Sequence, residues 1–184
     1  MLVDRSIDLG GDGTAGAPLQ KGTPIFSQND SDAAVLRQSG FHSIHVLQES
    51  GEEYRNIRIT KTPALHGTLV PCGEACGVIF EAKGEKTLYV AGDTIWYDGV
   101  KNTLNRLHPD VIVLNACAAE LVEHGRLIMN DADVECVFKA VPQAQINMDI
   151  VAHASITRYS MRGLLARRGV TGYLMPEDGE IMEL

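Results

Sequence analysis

Four residues of this chain combine metal-binding side chains with positions where such side chains are useful. They are His66 in "KTPALHGTL", Asp93 in "TLYVAGDTIWYDG", Asp149 in "INMDI" and His153 in "IVAHAS". Each falls at the end of a predicted strand. Imidazole nitrogen and carboxylate oxygen both ligate a borderline divalent ion such as zinc, and a bridging carboxylate can hold two such ions a few ångströms apart. Their separations along the chain are unlike those of a local zinc finger, so the four meet only where a fold brings strand ends together. The aspartate of "AGDT" also has a plainer reading, because Asp side chains bond their own backbone in turns.

The elements that must position these residues alternate in type. A glycine-rich opening (Gly10, Gly11, Gly13, Gly16) precedes the short strand "TPIFSQ" and the helix "NDSDAAVLRQSG", which carries a capping residue at its start and Gly40 at its end. The strands "IHVLQ", "NIRITKTPA" and "CGVIFEA" follow, with "KGEK" as the turn into "TLYVAGD", which reads as an antiparallel meander. The segment "DGVKNTLNRLHPD" places Val100, Leu104 and Leu107 on one helical face and stops at Pro109. "VIVLNA" reads as a strand buried on both faces. "NDADVECVFKAVP" is a helix capped by Asn130, with Asp131 and Asp133 in its first turn and Val134, Val137 and Val141 facing inward. A strand in "AQINMDIVA", a helix in "SITRYSMRGLLARRG" and a short extended "GYLMPEDGE" complete the chain. A central meander flanked by strand–helix units predicts helices packed outside β-sheet, in the α/β (α+β) class.

Composition bounds the function. With 184 residues, 45% hydrophobic and 22% charged, residues 1–184 are expected to form a single domain with a core of its own. No apolar run approaches the roughly 18 residues of a membrane helix, so no membrane partner is expected. A net charge of −8 argues against nucleic acid, whose phosphates are met by clustered Lys and Arg. Arg158, Arg162, Arg167 and Arg168 read as a solvated face that complements a helix dipole rather than as an anion site. The start, "MLVDRSIDLGGDG", lacks the basic flank and apolar block of a secretory signal, so the expectation is a cytoplasmic protein whose four cysteines are reduced thiols.

Taken in order, "HG" after a strand, "TLYVAGDT.WYDGV", "PDVIVLNACAA", "IMNDADV", "MDIVAHASITR" and "MPEDGE" resemble the C-terminal two-thirds of metallo-β-lactamase-fold hydrolases. The branch that includes ascorbate-6-phosphate lactonase-like proteins is the nearest in pattern, and the likeness runs from about Thr23 to Glu180. The resemblance implies an αββα sandwich with a one- or two-metal site, usually zinc or manganese, at one edge of the two sheets. It implies His66 as a metal ligand from the loop after a strand and Asp93 as the carboxylate bridging two ions, both catalytic. His153 is carried as a third candidate ligand, or as the residue that follows the ligand block. The activity implied is attack of metal-activated water on an ester, lactone or phosphoester, with Arg158 or the loop of Trp96 and Tyr97 as substrate contacts.

The sequence departs from that pattern in two places. The family's H-x-H-x-D-H loop is missing, and "SIDLGGDGTAGAPL" offers only Asp8 and Asp12 as metal-binding side chains. Where related sequences usually read His-Met-Asp, this chain has Asn147. The strands that normally precede the loop are also missing, which reads as an N-terminal truncation. A catalytic zinc usually keeps three protein ligands and one open position, whereas His66 and Asp93 supply two, with His153, Asp149, Asp8 or Asp12 to complete the set. The rival expectation is therefore a hydrolase that has lost its metal and serves as a ligand-binding or oligomeric scaffold. A first sheet short of strands would expose an edge and apolar surface, which predicts a homo-oligomer. Other motifs carry less. Cys72 and Cys76 have no matching second pair for a zinc knuckle, His42 and His45 read as satisfied histidines, Cys117 as a packed small residue, and "GGDGTAG" lacks the rest of a phosphate loop.

Overall fold

The computed structural model describes residues 2–3, 19–149 and 156–183, with the backbone alone for residues 2, 3 and 149. A small parallel sheet is built from β1 (Leu2–Val3), β2 (Ile25–Ser27) and β3 (Ile44–Val46), with β2 in the middle. Parallel neighbours need a crossover, and α1 (Asp30–Gln38) supplies it between β2 and β3. The side chain of Asn29 caps that helix by accepting the Asp32 N–H at 2.8 Å, while Asp30 and Asp32 place negative charge at its positive end. Ile25, Leu36 and Phe41 pack between helix and sheet.

Seven of the remaining described strands form a mixed sheet. Its first half is the meander β4 (Glu52–Tyr54), β5 (Ile57–Pro63), β6 (Cys76–Ala82) and β7 (Leu88–Val90), all antiparallel. After β7 come α2 (Asp98–Leu107), β8 (Val111–Asn115), the small hairpin β9 (Glu120–Leu121) and β10 (Gly125–Arg126), α3 (Asp131–Ala140), β11 (Gln145–Asp149), α4 (Arg158–Arg167) and β12 (Tyr173–Leu174). The sheet order is β12-β11-β8-β7-β6-β5-β4, and β7, β8, β11 and β12 run parallel to one another because a helix lies between each successive pair. Val100 and Leu104 of α2, Val134 and Val137 of α3, and Met161 and Leu165 of α4 are all fully buried in one core against this sheet. A second core of Phe26, Leu47, Ile59 and Val78 joins the two sheets across their inner faces. The layers run helix, sheet, sheet, helix, as the resemblance implied. Among the described residues no helix is long and apolar enough to cross a membrane.

Three expectations need correction. "IHVLQ" is a strand, but it pairs parallel with β2 in the small sheet instead of entering the meander. Alternating residues identify a strand without naming its partner. β8 is covered on both faces at Val111 and Ile112, as expected, but toward its end the face that carries Val113 and Asn115 is only half-buried while Leu114 on the other is fully covered. The charged strand β4 and the β9–β10 hairpin are additions to the expected element list, because neither has the apolar alternation that would announce it.

Candidate metal centre

His66 and Asp93 stand in two loops that leave the large sheet at the same edge. β5 ends at Pro63 and β7 at Val90, so each side chain lies just past its strand. The two loops are tied to each other through the neighbours of these residues. The buried Thr94 hydroxyl accepts the Leu65 N–H at 2.9 Å and donates to the Ile95 carbonyl at 2.9 Å, and the Ile95 N–H returns to the Leu65 carbonyl at 2.9 Å. The residue before His66 is thereby bonded to both residues after Asp93.

Two glycines set the directions in which the loops leave. Gly92 has φ +68°, and a Cβ there would lie 2.6 Å from the Cys76 carbonyl oxygen. Gly67 has φ +128°, and a Cβ would lie 2.4 Å from the Val70 carbonyl oxygen. The 66–72 loop closes on itself at that point, with the Cys72 N–H donating to the His66 carbonyl at 2.5 Å. Only glycine meets both demands, positive φ and close backbone approach.

Both side chains line one cavity of about 530 Å³, with Gln28, Asn29, Ser31, Asp32, Cys72, Gly73, Glu74 and Ala75. The opposite wall is the start of α1 on the small sheet, locked to the 72–75 loop. Gln28 Nε2 donates to Asp32 Oδ2 at 2.7 Å and to the Glu74 carbonyl at 3.0 Å, and Asn29 Nδ2 donates to Glu74 Oε2 at 2.5 Å. Lys61 on β5 reaches the Gln28 carbonyl at 2.6 Å, which ties that wall back to the large sheet. The lining carries the carboxylates of Asp32, Glu74 and Asp93 and, among the described residues, no lysine or arginine.

Asp93 also has a partner at the end of β8, where Asn115 Nδ2 donates to its Oδ1 at 2.6 Å. β11 runs beside β8 with Asp149 opposite Asn115 and Asn147 opposite Val113. With a side-chain period of two, Asn147 and Asn115 project from the same face of the sheet. Asn147 is 1% exposed, and neither its Nδ2 nor its Oδ1 has a hydrogen-bond partner among the described residues. A buried carboxamide with both ends unpaired is uncommon in a native interior.

The structure thus brings His66 and Asp93 together at one cavity. His153, Asp8 and Asp12 lie outside the described residues, and of Asp149 only the backbone is placed. Among the described residues no group of three His, Cys, Asp or Glu side chains is arranged to hold a metal ion. An imidazole and a carboxylate oriented by an amide donor fit two positions of a divalent cation's shell. The described residues do not fill the remainder.

Several side chains had no place in the sequence-derived set. Asn115 bonds Asp93, Thr94 ties the loops of His66 and Asp93 together, and Asp32, Cys72 and Glu74 line the same cavity. The remaining motifs have packing roles. Trp96 and Tyr97 pack against the main core, and the Trp96 N–H bonds Asp133 Oδ2 at 3.2 Å, an oxygen shared with the Arg126 guanidinium. Arg158 pairs with Asp178 at 2.6 Å, Arg162 with Glu177 at 2.9 Å, and Arg168 with Asp131 and Glu135, so these three arginines face carboxylates of the chain itself. His45 bonds Glu52 at 2.7 Å and stacks on Phe26. All four cysteines are free, and Cys117 is fully buried. Burial pushes the Tyr89 hydroxyl up to about 12, against a weaker opposing effect of Thr62.

No family model matches the chain. Among curated proteins, it is 35% identical over 170 residues to the UPF0173 protein YddR of Bacillus subtilis, covering 88% of this chain and 66% of YddR. It is 30% identical over 107 residues to a UPF0173 metal-dependent hydrolase of Methanosphaerula palustris, covering 54% of this chain and 48% of that protein. The chain therefore spans about two thirds of the first relative and about half of the second. Among solved structures, an isothiocyanate hydrolase from Delia radicum gut bacteria superposes with a TM-score of 0.82 at 32% identity, over 90% of this chain and 70% of that one. The metallo-β-lactamase fold protein YhfI of Bacillus subtilis superposes with a TM-score of 0.63 at 13% identity, over 89% of this chain and 66% of YhfI, a likeness of fold alone. The chain belongs to the UPF0173 metal-dependent hydrolase family and has the metallo-β-lactamase fold.

Proposed function

We infer that this protein is a metal-dependent hydrolase acting on a small, uncharged electrophile. The observation that carries this reading is the convergence of His66 and Asp93, from separate strands, on one cavity of small-molecule size. Nitrogen from His66 and oxygen from Asp93 suit zinc or manganese, and His153, Asp149, Asp8 or Asp12 would supply a further ligand. The carboxamide of Asn147, unpaired among the described residues, adds an oxygen donor on β11, on the sheet face that carries Asn115. A cation held there would supply Lewis-acid polarisation of the electrophile and activation of water. His66 and Asp93 would hold it, Asn115 orients Asp93, and the loops around them shape the cavity. Three carboxylates on the lining and no described cationic side chain favour a neutral ester, lactone or isothiocyanate over a phosphoester anion. The relative named isothiocyanate hydrolase acts on a substrate of that neutral class.

The test is turnover by protein loaded with zinc or manganese. Hydrolysis of an ester, lactone or isothiocyanate, with weaker activity on a phosphodiester and loss in His66→Ala, is the expected result. Metal-loaded protein inert toward all four classes would overturn this reading.

One observation favours a second reading. Asn147 stands where the resemblance puts a histidine, as in a ligand-binding member that has lost its metal. Folded protein that takes up no zinc or manganese yet binds neutral electrophiles would establish it. In either case we propose that the protein assembles as a homo-oligomer, which a monomeric mass at micromolar concentration by light scattering would refute.

A further inference from the structure

We propose that Asn115 is the positioning residue for Asp93, fixing the plane of its carboxylate and leaving one oxygen for a cation. The placement follows from the sheet. β7 and β8 run parallel with Val90 opposite Val113, and the Ala91 N–H bonds the Val113 carbonyl at 3.0 Å. Two residues further along β8, position 115 comes abreast of the turn at Gly92 and Asp93. There Asn115, half-buried at the strand end, meets Asp93 Oδ1 at 2.6 Å.

The direction of this bond is settled by chemistry. A carboxylate is acceptor-only, and a carboxamide presents a donor at one end and an acceptor at the other. Turning the amide over would set two acceptor oxygens against each other at 2.6 Å, so the NH2 group faces Asp93. That bond takes one lone pair of Oδ1, whereas Oδ2 has no hydrogen-bond donor among the described residues. A carboxylate held in this way turns its uncommitted oxygen, in a fixed plane, toward a cation. Amide donors of this kind orient metal ligands, and their removal typically costs about 10–100-fold in metal affinity. Val113 precedes Asn115 on the same face of β8. A valine donates no hydrogen bond from its side chain, so it does not replace the amide.

The consequence for metal binding rests on the hydrolase reading above, whereas the orienting of Asp93 does not. The test uses Asn115→Leu, which keeps the branched shape without a donor, and Asn115→Ala as a second variant should the first not fold. In metal-free protein, three-bond couplings at Asp93 report its χ1 rotamer. We expect a single rotamer in the wild type and averaging in the variants, with melting temperatures close to the wild type. By calorimetric titration with Zn2+ and with Mn2+, we expect affinity to fall about 10–100-fold in the variants. Variants that keep the wild-type Asp93 couplings would overturn the proposal, as would an unchanged affinity for both ions. If the wild type bound neither ion, the hydrolase reading would fall alone, and the Asp93 couplings would decide the role of Asn115.

Discussion

The Thr94 hydroxyl accepts the backbone N–H of Leu65 at 2.9 Å from a fully buried position, so the residue after Asp93 is bonded to the residue before His66. This contact, doubled by the Ile95 N–H to the Leu65 carbonyl, sets the two candidate ligands at a common cavity. Thr94→Val keeps shape and removes both hydroxyl bonds, leaving the Leu65 N–H without its acceptor. The cost expected is about 1–3 kcal/mol. Urea unfolding should show this loss at an unchanged m-value, and His66 should shift its NMR resonances more than residues of the α3–α4 core.

Glycine geometry gives a second prediction. Gly67→Ala places a Cβ 2.4 Å from the Val70 carbonyl oxygen at φ +128°, and Gly92→Ala places one 2.6 Å from the Cys76 carbonyl oxygen at φ +68°. Backbone atoms cannot step aside cheaply, so each variant should lose more than about 2 kcal/mol. Gly73→Ala is the control. It lies on the same cavity with φ +77° and open space around its Cβ position, and should cost only about 1 kcal/mol. Thermal unfolding of the three variants side by side checks the order.

Much of this geometry is written in the sequence, though unevenly. The helices of residues 30–38, 98–107, 131–140 and 158–167 follow from capping residues and apolar spacing, and Asn130 caps its helix as expected, accepting the Asp133 N–H at 3.0 Å. Strand pairing is less legible. The alternation of Ile44, His45 and Val46 in "IHVLQ" says nothing of whether β2 or β5 will be its neighbour, because register is decided by side chains remote in sequence. His66 and Asp93 are identifiable by type and by their place after strands. Thr94 and Asn115 are not, because a threonine in a turn and an asparagine at a strand end are ordinary residues until the fold puts partners beside them.

A pH dependence follows from Tyr89. Burial raises its hydroxyl from 10.0 to about 12, so the folded state disfavours the charged form. Below pH 10 both folded and unfolded chains hold the proton, and the contribution to stability is flat. Between about pH 10 and 12 the unfolded state releases the proton first, and stability falls by up to about 1.4 kcal/mol per pH unit. Tyr89→Phe should remove this slope, read as the difference between wild-type and variant urea midpoints from pH 9 to 12. Equal slopes in the two proteins would contradict the assignment.

The Asp133 carboxylate couples the loop after Asp93 to α3 by accepting from the Trp96 N–H at 3.2 Å and from the Arg126 guanidinium. Asp133→Ala leaves Arg126 and the Trp96 N–H without that acceptor in a mostly buried setting. A loss of about 2–4 kcal/mol is expected, with Trp96 fluorescence shifting to the red in the folded variant. Arg126→Ala in the same background should then add little, since the two groups act as one unit.

In the proposed function His66 and Asp93 together hold one divalent cation. Metal content and zinc or manganese titration of the wild type, His66→Ala and Asp93→Asn, each verified as folded by circular dichroism, test it most directly. Uptake of the ion by the wild type and its loss in both variants is the expected result. Folded wild type that takes up neither ion, or variants that bind as tightly as the wild type, would contradict it.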